Sequence, residues 1–585
     1  MTDTSCRSSR RGPQRSKGSR RGANSSSKSK PISSRNTNQP TPRGRNGVKS
    51  QSRVTSLPAD LWTLLLPFLT WRDTSAMSCV CCEWRSVVTD AKKLHPEWRS
   101  TVIGPCANGD ESLELLRTNL LEWADTRFAP DIVLISAASK DPSPWHSGGY
   151  WEEVIAAIEE EELLPRRCKI VGLFTMNAVL GGETEGDEDL MEEMPASAVT
   201  LSISVAHLPE TTVEMAEFDR KDLRRHNRGG AELENPFTPL EEDNTPSFLL
   251  FGVNDQSAAQ LVPVIDEWYP GAAVAGAVSP LIDRCVPLAT YCGVTEASAK
   301  HQDRQRRRTR GNRQQVPSSN RRPRPRGPVA FPSTMLLRLH GNVGMKTFSS
   351  SGYHPVTPVI RCDRASVVEE LSQVVTYDLV STLGHAETEK PLQHRIMDLL
   401  DRGERLAIEQ EGRGLNIFSC RESAPLEHLV NCISAVETKF PVPTSAQIDR
   451  LEFVFWLQDG LMSLPGMCWQ QGAYGVLASH HPAVAPKAFA EALYNVEAAS
   501  DTLNERTFGA FMVAGALNEI EDPIHAKAIS KLCVDAFDEF KIGGCIVSTS
   551  VGPVAFPGCL QPPVVRKLVQ VQTHTTCGAI FYSKA

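Results

Sequence analysis

Two clusters of cysteine and histidine have spacings that suggest metal binding or nucleophilic catalysis. The first is CVCC, with Cys79, Cys81 and Cys82. A zinc site needs four tetrahedral ligands, and no pair of Cys or His follows this cluster at ligand spacing. The second is THTTC, which places His574 three residues before Cys577. Residues three apart in a strand point to opposite faces, so these two side chains do not form a catalytic pair. Neither cluster predicts a metal ligand or a catalytic residue.

The common motifs of enzyme active sites are also missing from the sequence. There is no phosphate-binding P-loop, no GxGxxG after a strand, no GxSxG elbow and no HExxH. His480 and His481 are adjacent, and in a helix they would point about 100° apart, which suits one metal ion poorly. We therefore predict a protein that is not an enzyme and that needs no cofactor and no metal.

Composition and charge restrict the class of protein further. The chain has 585 residues, of which 41% are hydrophobic, and a formal net charge of −7, so no global field favours nucleic acid or membrane. Its 16 cysteines lack regular spacing, which favours a reducing compartment. No leader opens the chain, and no apolar run reaches the roughly 18–20 residues that cross a bilayer. We expect a soluble protein of the cytoplasm, the nucleus or both.

Four polar segments divide the chain. Residues 1–53 form a basic tail with almost nothing to bury, and we predict that this tail is disordered. Residues 224–246 are predicted to be a linker or long loop, and the acidic run 181–193 a solvated loop. An Arg-rich insertion at 300–328 suits a solvated loop, an import signal or RNA binding, in that order. Nucleic acid is an unlikely partner, because no aromatic residues alternate with the arginines.

Between the tail and the main body lies a short helical segment rich in leucine. Its apolar residues recur at helical spacing from Leu57 to Leu69, and Pro67 ends or bends the helix. Asp73 suits the cap of a second helix that carries Ala76, Met77 and Val80. About forty residues cannot bury so many leucines among themselves. The remaining apolar face must therefore contact either the rest of this chain or a partner.

The body alternates strand-like and helix-like segments. DIVLISAAS, CKIVGLFT, SAVTLSISVAHLP, SFLLFGVND and AAVAGAVSP are predicted strands, and YWEEVIAAIEEEELL and SAAQLVPVIDEWYP are predicted helices. The order is β-α-β-β and then β-α-β, and strands and a helix recur near the C-terminus. This pattern predicts a repeated α/β half-unit in a mixed α/β or α+β fold.

The leucine-rich segment resembles the F-box, a short helical motif. Its pattern is Leu-Pro, spaced leucines, Asp and then Val-Cys-x-x-Trp, and position in the chain and spacing both fit. The resemblance implies that residues 54–100 bind the Skp-type adaptor of a cullin–RING ubiquitin ligase. The implied adaptor-binding residues are Leu57, Pro58, Leu61, Leu65, Leu69, Val80 and Trp84.

The body resembles the FIST domain, a two-part α/β module that occurs with F-boxes. The matching stretches are IVGLF, DEWYPGAAVAGAVS, SSSGYHPVTPVIR and THTTCGAIF, and they follow the expected order. The resemblance implies an N-terminal part at 101–343 and a C-terminal part at 344–585, and a ligand cleft lined by turns where the parts meet. The implied cleft residues are Gly172, Gly276, Gly515, Ser550 and Gly552.

Three functions remain open at this point. The leading one is a substrate receptor of a Skp–cullin–F-box ubiquitin ligase, whose body captures an unidentified target protein for ubiquitination and proteasomal degradation. The second is an intracellular sensor that binds a small molecule in the FIST cleft. Tight amino-acid binding is not expected, because VAGALNEI and Ser550 replace the charged turns usual in the family. The third is an unidentified enzyme.

The Arg-rich insertion gives a prediction about localisation. Replacing Arg306, Arg307 and Arg308 with alanine removes clustered positive charge from the candidate import signal. The nuclear fraction of a fluorescent fusion should then fall. If microscopy shows the same distribution for the variant and the unchanged chain, residues 300–328 are a solvated loop.

Overall fold

The computed structural model describes most residues from 61 to 583, and all of them belong to one compact unit, Pro58–Ala585. The predicted disordered tail, the Arg-rich insertion and nearly all of the acidic run lie outside the described residues. The main undescribed stretches are 124–127, 182–196, 228–232, 241–244, 293–328, 368–373, 383–392, 403–414, 421–449, 466–473, 481–488, 494–505, 516–541 and 554–568.

The first described elements are two short helices. Helix α1 (Trp71–Met77) begins at Thr70, whose hydroxyl accepts from the Asp73 backbone N–H while the Asp73 carboxylate accepts from Thr70. The predicted cap at Asp73 is therefore one turn too late, and Asp73 instead completes a capping box. Helix α2 (Cys82–Leu94) begins at Cys81 and leads, through two residues, into the first strand.

The first mixed sheet is built around a pair of parallel strands. Fully buried strands such as IVLISAA are typical of parallel pairs, which are covered on both faces. The connecting helix α4 buries Trp151, Val154, Ile155 and Ile158 as its spacing predicts. The elements are β1 (Glu97–Cys106), α3 (Gly109–Trp123), β2 (Ile132–Ala138), a 3-10 helix (Ser143–Trp145), α4 (Gly149–Glu160), β3 (Lys169–Thr175), β4 (Ala178–Gly181) and β5 (Val199–His207).

The next part of the chain repeats this pattern. Strands β7 and β8 are parallel and are joined by helix α6, and the last strand returns antiparallel beside β7. The elements are β6 (Thr211–Phe218), α5 (Arg220–Asn227), β7 (Ser247–Gly252), α6 (Asp255–Trp268), β8 (Ala273–Val278), β9 (Leu288–Tyr291) and β10 (Thr334–Gly341).

A third unit opens with β11 (Val343–Ser350) and is interrupted by a separate antiparallel sheet. The described residues of that inserted sheet form nine strands and one short helix. They are β12 (Tyr353–Pro355), β13 (Ile360–Val367), β14 (Val374–Thr382), β15 (Gln393–Arg395), α7 (Ile396–Leu399), β16 (Leu415–Cys420), β17 (Arg450–Phe453), β18 (Trp456–Gln458), β19 (Leu461–Pro465) and β20 (Tyr474–His480).

The third unit resumes after the inserted sheet. Strands β21 and β22 are parallel, and β25 returns between β11 and β21. The elements are β21 (Arg506–Gly515), β22 (Ile542–Val547), β23 (Thr549–Pro553), β24 (Val569–Thr573) and β25 (Thr576–Ser583). The predicted helix between β21 and β22 lies outside the described residues.

The three mixed sheets therefore share one pattern of strands. Their orders are β1-β5-β2-β3-β9, β6-β10-β7-β8-β23-β24 and β11-β25-β21-β22-β4. In each, an edge strand pairs with the returning strand, which pairs with the first parallel strand. The predicted mixed α/β fold is confirmed, and the repeated unit occurs three times rather than as two halves.

Each unit extends the sheet of another unit: the first and second give one strand each, and the third gives the pair β23 and β24. Strand β4 of the first unit pairs with β22 of the third, β9 of the second pairs with β3 of the first, and β23 of the third pairs with β8 of the second. The exchange is closed and cyclic. The pairs β4–β22 and β8–β23 each join strands from opposite sides of the predicted boundary between residues 343 and 344.

Hydrogen bonds from buried hydroxyl groups link the units in the same cyclic order as the exchanged strands. Thr175, at the end of β3, donates to the Ile546 carbonyl of β22 at 2.6 Å. Ser279, just after β8, donates to the Phe174 carbonyl of β3 at 2.6 Å. The corresponding position in the third unit is Val547, which has no hydroxyl to donate. Two of the three equivalent junctions are therefore closed by a side-chain hydrogen bond.

One hydrophobic core lies among the three mixed sheets. Each sheet contributes its inner face to this core, while the outer faces pack on helices, as Leu116 of α3 and Leu261 of α6 show. The aromatic rings of Phe251 and Phe511 meet across two sheets with centroids 5.5 Å apart. Representative core residues are Trp98, Leu134, Val171, Leu249, Leu337, Val513, Cys545 and Phe581.

The predicted linker at 224–246 is partly folded. Residues up to Asn227 belong to α5, and the Phe237 ring is buried against Phe248. The many polar residues of this segment predict a loop. That composition does not reveal one aromatic side chain that anchors the segment to the second sheet.

A glycine stands at the same place in the second parallel strand of every unit. Gly172, Gly276 and Gly544 each pair with the first parallel strand on one side and the received strand on the other. A side chain at Gly276 or Gly544 would overlap a carbonyl oxygen of the neighbouring strand, at Leu250 or Met512. These positions require glycine because the backbones approach closely.

The close approach at Gly276 predicts a large cost for the smallest substitution. Gly276→Ala should lower stability by about 1–3 kcal/mol, because the new methyl group forces two strands apart. Gly149→Ala in α4 is the matched control, since its Cβ would have only one neighbour, 3.9 Å away, and should be neutral or stabilising. Thermal unfolding of both variants measures the difference, and equal midpoints would contradict the packing argument.

Candidate protein-docking surface

Four apolar side chains near the start of the described chain are exposed. Leu61 and Leu65 lie in a helix, four residues apart and therefore on one helix face, and each is 42% exposed. Phe68 is 84% exposed and Val80, in the turn after α1, is 61% exposed. We call these four residues the exposed apolar set. Large apolar groups left in water are typical of a surface that another molecule covers.

Other side chains of the same region point inward and hold the two helices together. Met77 of α1 and Val88 of α2 are buried against each other, and Leu69, Trp84 and Val87 pack on them. Leu69 also contacts the buried pair Ala91 and Phe128. The leucine-rich region is thus divided between a small internal core and the exposed apolar set.

The structure separates the predicted adaptor-binding residues in the same way. Leu61, Leu65 and Val80 are exposed, whereas Leu69 and Trp84 are partly buried between α1, α2 and the body. Leu57 and Pro58 lie outside the described residues. Sequence spacing could not make this division, because both groups recur at helical positions.

The three cysteines of the CVCC motif have a structural explanation. Cys79, Cys81 and Cys82 are exposed. Cys81 lies between the helices rather than inside one, and its sulfur accepts from the Trp84 N–H at 3.5 Å as the cap of α2. Among the described residues no group of three or more His, Cys, Asp and Glu is placed to hold a metal ion.

The C-terminal end of α2 is fixed to the body through His207. The buried ring lies at the end of β5, and its Nε2 donates to the Lys92 carbonyl at 3.4 Å. Its Nδ1 lies 3.2 Å from the Asp131 carboxylate, without hydrogen-bond alignment. The Phe128 ring packs 5.1 Å from it. Sequence reasoning missed this junction, since residues 92 and 207 are adjacent only in the folded chain.

A second, weaker contact lies at the same junction. The Lys93 ammonium is 3.4 Å from the Glu210 carboxylate, and both side chains are about half exposed. Solvent-exposed ion pairs of this kind contribute about 0–1 kcal/mol. The buried ring of His207 is therefore the stronger attachment of α2 to the body.

The glycines of the predicted ligand cleft lie within strands and not in turns. Gly172 in β3 leaves room for the Trp151 ring, which would be 2.6 Å from a Cβ there. Gly276 in β8 faces the Leu250 carbonyl, and Gly515 ends β21 beside Val547. The expectation of turns was wrong, because all three glycines lie in strands, and Gly172 and Gly276 permit close packing rather than a change of chain direction.

Ser550 and Gly552 of the predicted cleft lie in β23, beside Gly276 of β8. Ser550 is buried, and its hydroxyl donates to the Thr575 carbonyl at 2.6 Å and contacts the Cys577 sulfur at 3.1 Å. Cys577 would also be 2.7 Å from a Cβ at Gly552. Burial raises the pKa of the Cys577 thiol to about 12, although the Ser550 hydrogen bond lowers it, so this thiol is not a nucleophile at neutral pH.

Comparison with known proteins adds no family assignment. Neither the models of known protein families nor the curated proteins contain a match to this chain. In the part of the chain that the structure describes, no helix has both the length and the apolar character to cross a membrane.

The junction at His207 predicts how firmly α2 is held. His207→Ala removes the bond to Lys92 and leaves a cavity beside Phe128, which should cost about 2–3 kcal/mol locally. Hydrogen exchange in α2 should then accelerate by at least about tenfold. Lys93→Ala, which removes only the exposed ion pair, is the control. Equal protection of α2 in both variants would show that His207 does not hold the helix.

Proposed function

We propose that this chain is the substrate-recognition subunit of a Skp–cullin–F-box ubiquitin ligase. In this proposal the leucine-rich helices bind the Skp-type adaptor, and the body captures a target protein for ubiquitination and proteasomal degradation. The chain itself has no catalytic step, because ubiquitin transfer belongs to the other subunits. The observation that carries the proposal is the exposed apolar set, Leu61, Leu65, Phe68 and Val80.

The free energy gained by burying the exposed apolar set supports tight binding of a partner protein. Burying a Leu, Val or Phe side chain contributes about 1.5–3 kcal/mol each. Four such side chains are enough to dominate a protein interface, where a few buried residues commonly supply most of the affinity. Met77 and Val88 keep the helix pair folded, so the exposed residues are available to a partner without unfolding the pair.

The arrangement of α2 and the body suits the receptor role. Two residues separate α2 from β1, and His207 holds the end of α2. A target bound to the body would therefore have a defined position relative to the adaptor. The target itself remains unidentified, and a cytoplasmic or nuclear location remains part of the proposal.

The small-molecule sensor is the alternative function. The described packing around Gly172, Gly276 and Gly552 favours it less, because protein atoms occupy the space beside each glycine. Thermal-shift measurements with metabolites address this alternative directly, and a clear shift would support a sensor.

Adaptor binding is tested by removing two exposed leucines. The Leu61→Ala, Leu65→Ala double variant should bind the Skp-type adaptor at least about tenfold more weakly, since burying the exposed 42% of each leucine contributes about 0.6–1.3 kcal/mol. Its melting temperature should change little, because neither leucine belongs to the buried core of the helix pair. Calorimetric titration with purified adaptor measures the affinity.

Leu115→Ala is the matched control for that experiment. Leu115 is an exposed leucine, 37% accessible, on helix α3 of the body. Its replacement should leave adaptor binding unchanged. If the double variant binds as tightly as the unchanged chain, or if the unchanged chain does not bind the adaptor, the proposed function is wrong.

A further inference from the structure

An irregular segment lies on the outer side of the second mixed sheet and is attached there by an aromatic ring. Residues 233–240 have neither helix nor strand. Phe237 is 6% exposed and lies 5.8 Å from the Phe248 ring. The next two residues, Thr238 and Pro239, are exposed. One buried side chain thus fixes a segment whose following residues remain accessible.

Polar groups around Thr238 complete the attachment. The Thr238 hydroxyl donates to Glu214 Oε1 of β6 at 2.7 Å, and its backbone N–H points to the same oxygen at 3.4 Å. The Thr238 carbonyl accepts from Arg338 Nη1 of β10 at 2.8 Å. Arg338 Nη2 also pairs with Glu214 Oε2. Thr238 therefore bonds to both members of one ion pair.

The cation of this ion pair is fully buried. The Arg338 side chain has no exposed surface, and its guanidinium lies 4.8 Å from the centre of the Phe237 ring. It also donates to the Tyr269 hydroxyl at 2.6 Å. Burial lowers the pKa of Arg338 to about 10, so it stays charged at neutral pH. Phe237 and Thr238 together cover this charge.

The sequence at this point is PFTP, in which Thr238 is followed by Pro239 and preceded, two residues earlier, by Pro236. Proline-directed protein kinases require a proline directly after the acceptor hydroxyl, in an accessible, extended stretch of chain. Thr245 also precedes a proline, but Pro246 is buried, whereas both Thr238 and Pro239 are exposed.

We propose that Thr238 is a phosphorylation site for a proline-directed protein kinase and that phosphorylation releases residues 233–240 from the sheet. The threonine Oγ1 attacks the γ-phosphorus of ATP, the new Oγ1–P bond forms, and the bond from that phosphorus to the β,γ-bridging oxygen breaks. ADP leaves, and the hydroxyl proton is released.

Charge explains why release follows. The phosphate carries about −1.5 to −2 charges at pH 7, and it replaces a hydroxyl that donates to the Glu214 carboxylate. The Thr238 oxygen, which was a hydrogen-bond donor, then carries a negative phosphate that faces the negative Glu214 carboxylate. Arg338 is no ready partner for it, because the side chain is buried and its Nη atoms already bond to Glu214, Tyr269 and the Thr238 carbonyl.

The first test measures phosphate transfer to the folded chain. The purified full chain and a synthetic peptide of residues 232–244 are each incubated with a proline-directed kinase and ATP, and the modified residue is mapped by mass spectrometry. Both should be phosphorylated at Thr238, and Thr238→Val should abolish that modification. A peptide that is not a substrate, or a folded chain that is modified only at other positions, would overturn the proposal.

The second test measures release. Hydrogen exchange at the Phe237 and Thr238 amides should become at least about tenfold faster after phosphorylation. The Thr238→Val chain treated with the same kinase and ATP is the control and should show no change. Unchanged or slower exchange in the phosphorylated chain would show that the phosphate is accommodated, for example by Arg338, and would refute the release step.

Discussion

Parallel strand pairs are found almost only where neighbouring chain covers both their faces, and an open edge invites unwanted pairing. In this chain, strand exchange between the units covers the open edge of each pair. Strands β3, β8 and β22 each have one open side, and each receives a strand from a different unit. The received strand brings its unit into contact with the next, so the three inner faces close on one core. The glycines at 276 and 544 let the backbones approach where these strands meet, and Gly172 leaves room for the Trp151 ring. The arrangement of the body follows from this exchange.

The exchange also determines how the N-terminal helices are held. Helix α2 leads into β1, an edge strand of the first sheet, and Trp98 of β1 stacks on Phe581 of the third sheet with centroids 4.6 Å apart. A side chain at Gly509 would collide with the Trp98 ring. The position of α2 is thus linked, through one strand, to the core among the sheets. The exposed apolar set therefore lies in a region that is attached to the body through α2 and β1.

Much of the architecture was available from local pattern. Buried runs such as IVLISAA and SFLLFG identify parallel strands, and the spacing of Trp151, Val154 and Ile158 identifies the face of α4. The third unit was harder to recognise, because an antiparallel sheet of nine strands separates β11 from β21. Strand exchange leaves no local trace, since β4 has the composition of any short strand and its partner is far away in the sequence.

Site residues were less predictable than strands for a related reason. Leu65 and Leu69 have the same side chain and the same helical spacing, yet one is exposed and the other packs inward. Which of them is covered depends on Phe128, far along the chain. The role of Gly172 was ambiguous in the same way. This residue must be small because the Trp151 ring packs against it, which the sequence does not reveal. Such distinctions depend on tertiary contacts that residue type and spacing do not contain.

Strand exchange has a consequence for the newly made chain on the ribosome. The hydroxyl of Thr175 and its acceptor at Ile546 are 371 residues apart, and at about 5–20 residues per second the second appears roughly 20–75 s after the first. Strand β25 (Thr576–Ser583), which lies inside the third sheet, is made later still. During this delay strand β4 has no partner strand and the first sheet lacks the third sheet on its inner face, so both are available to other chains. Chaperones that shield exposed strands during translation would therefore have a particularly long period in which to act on this protein.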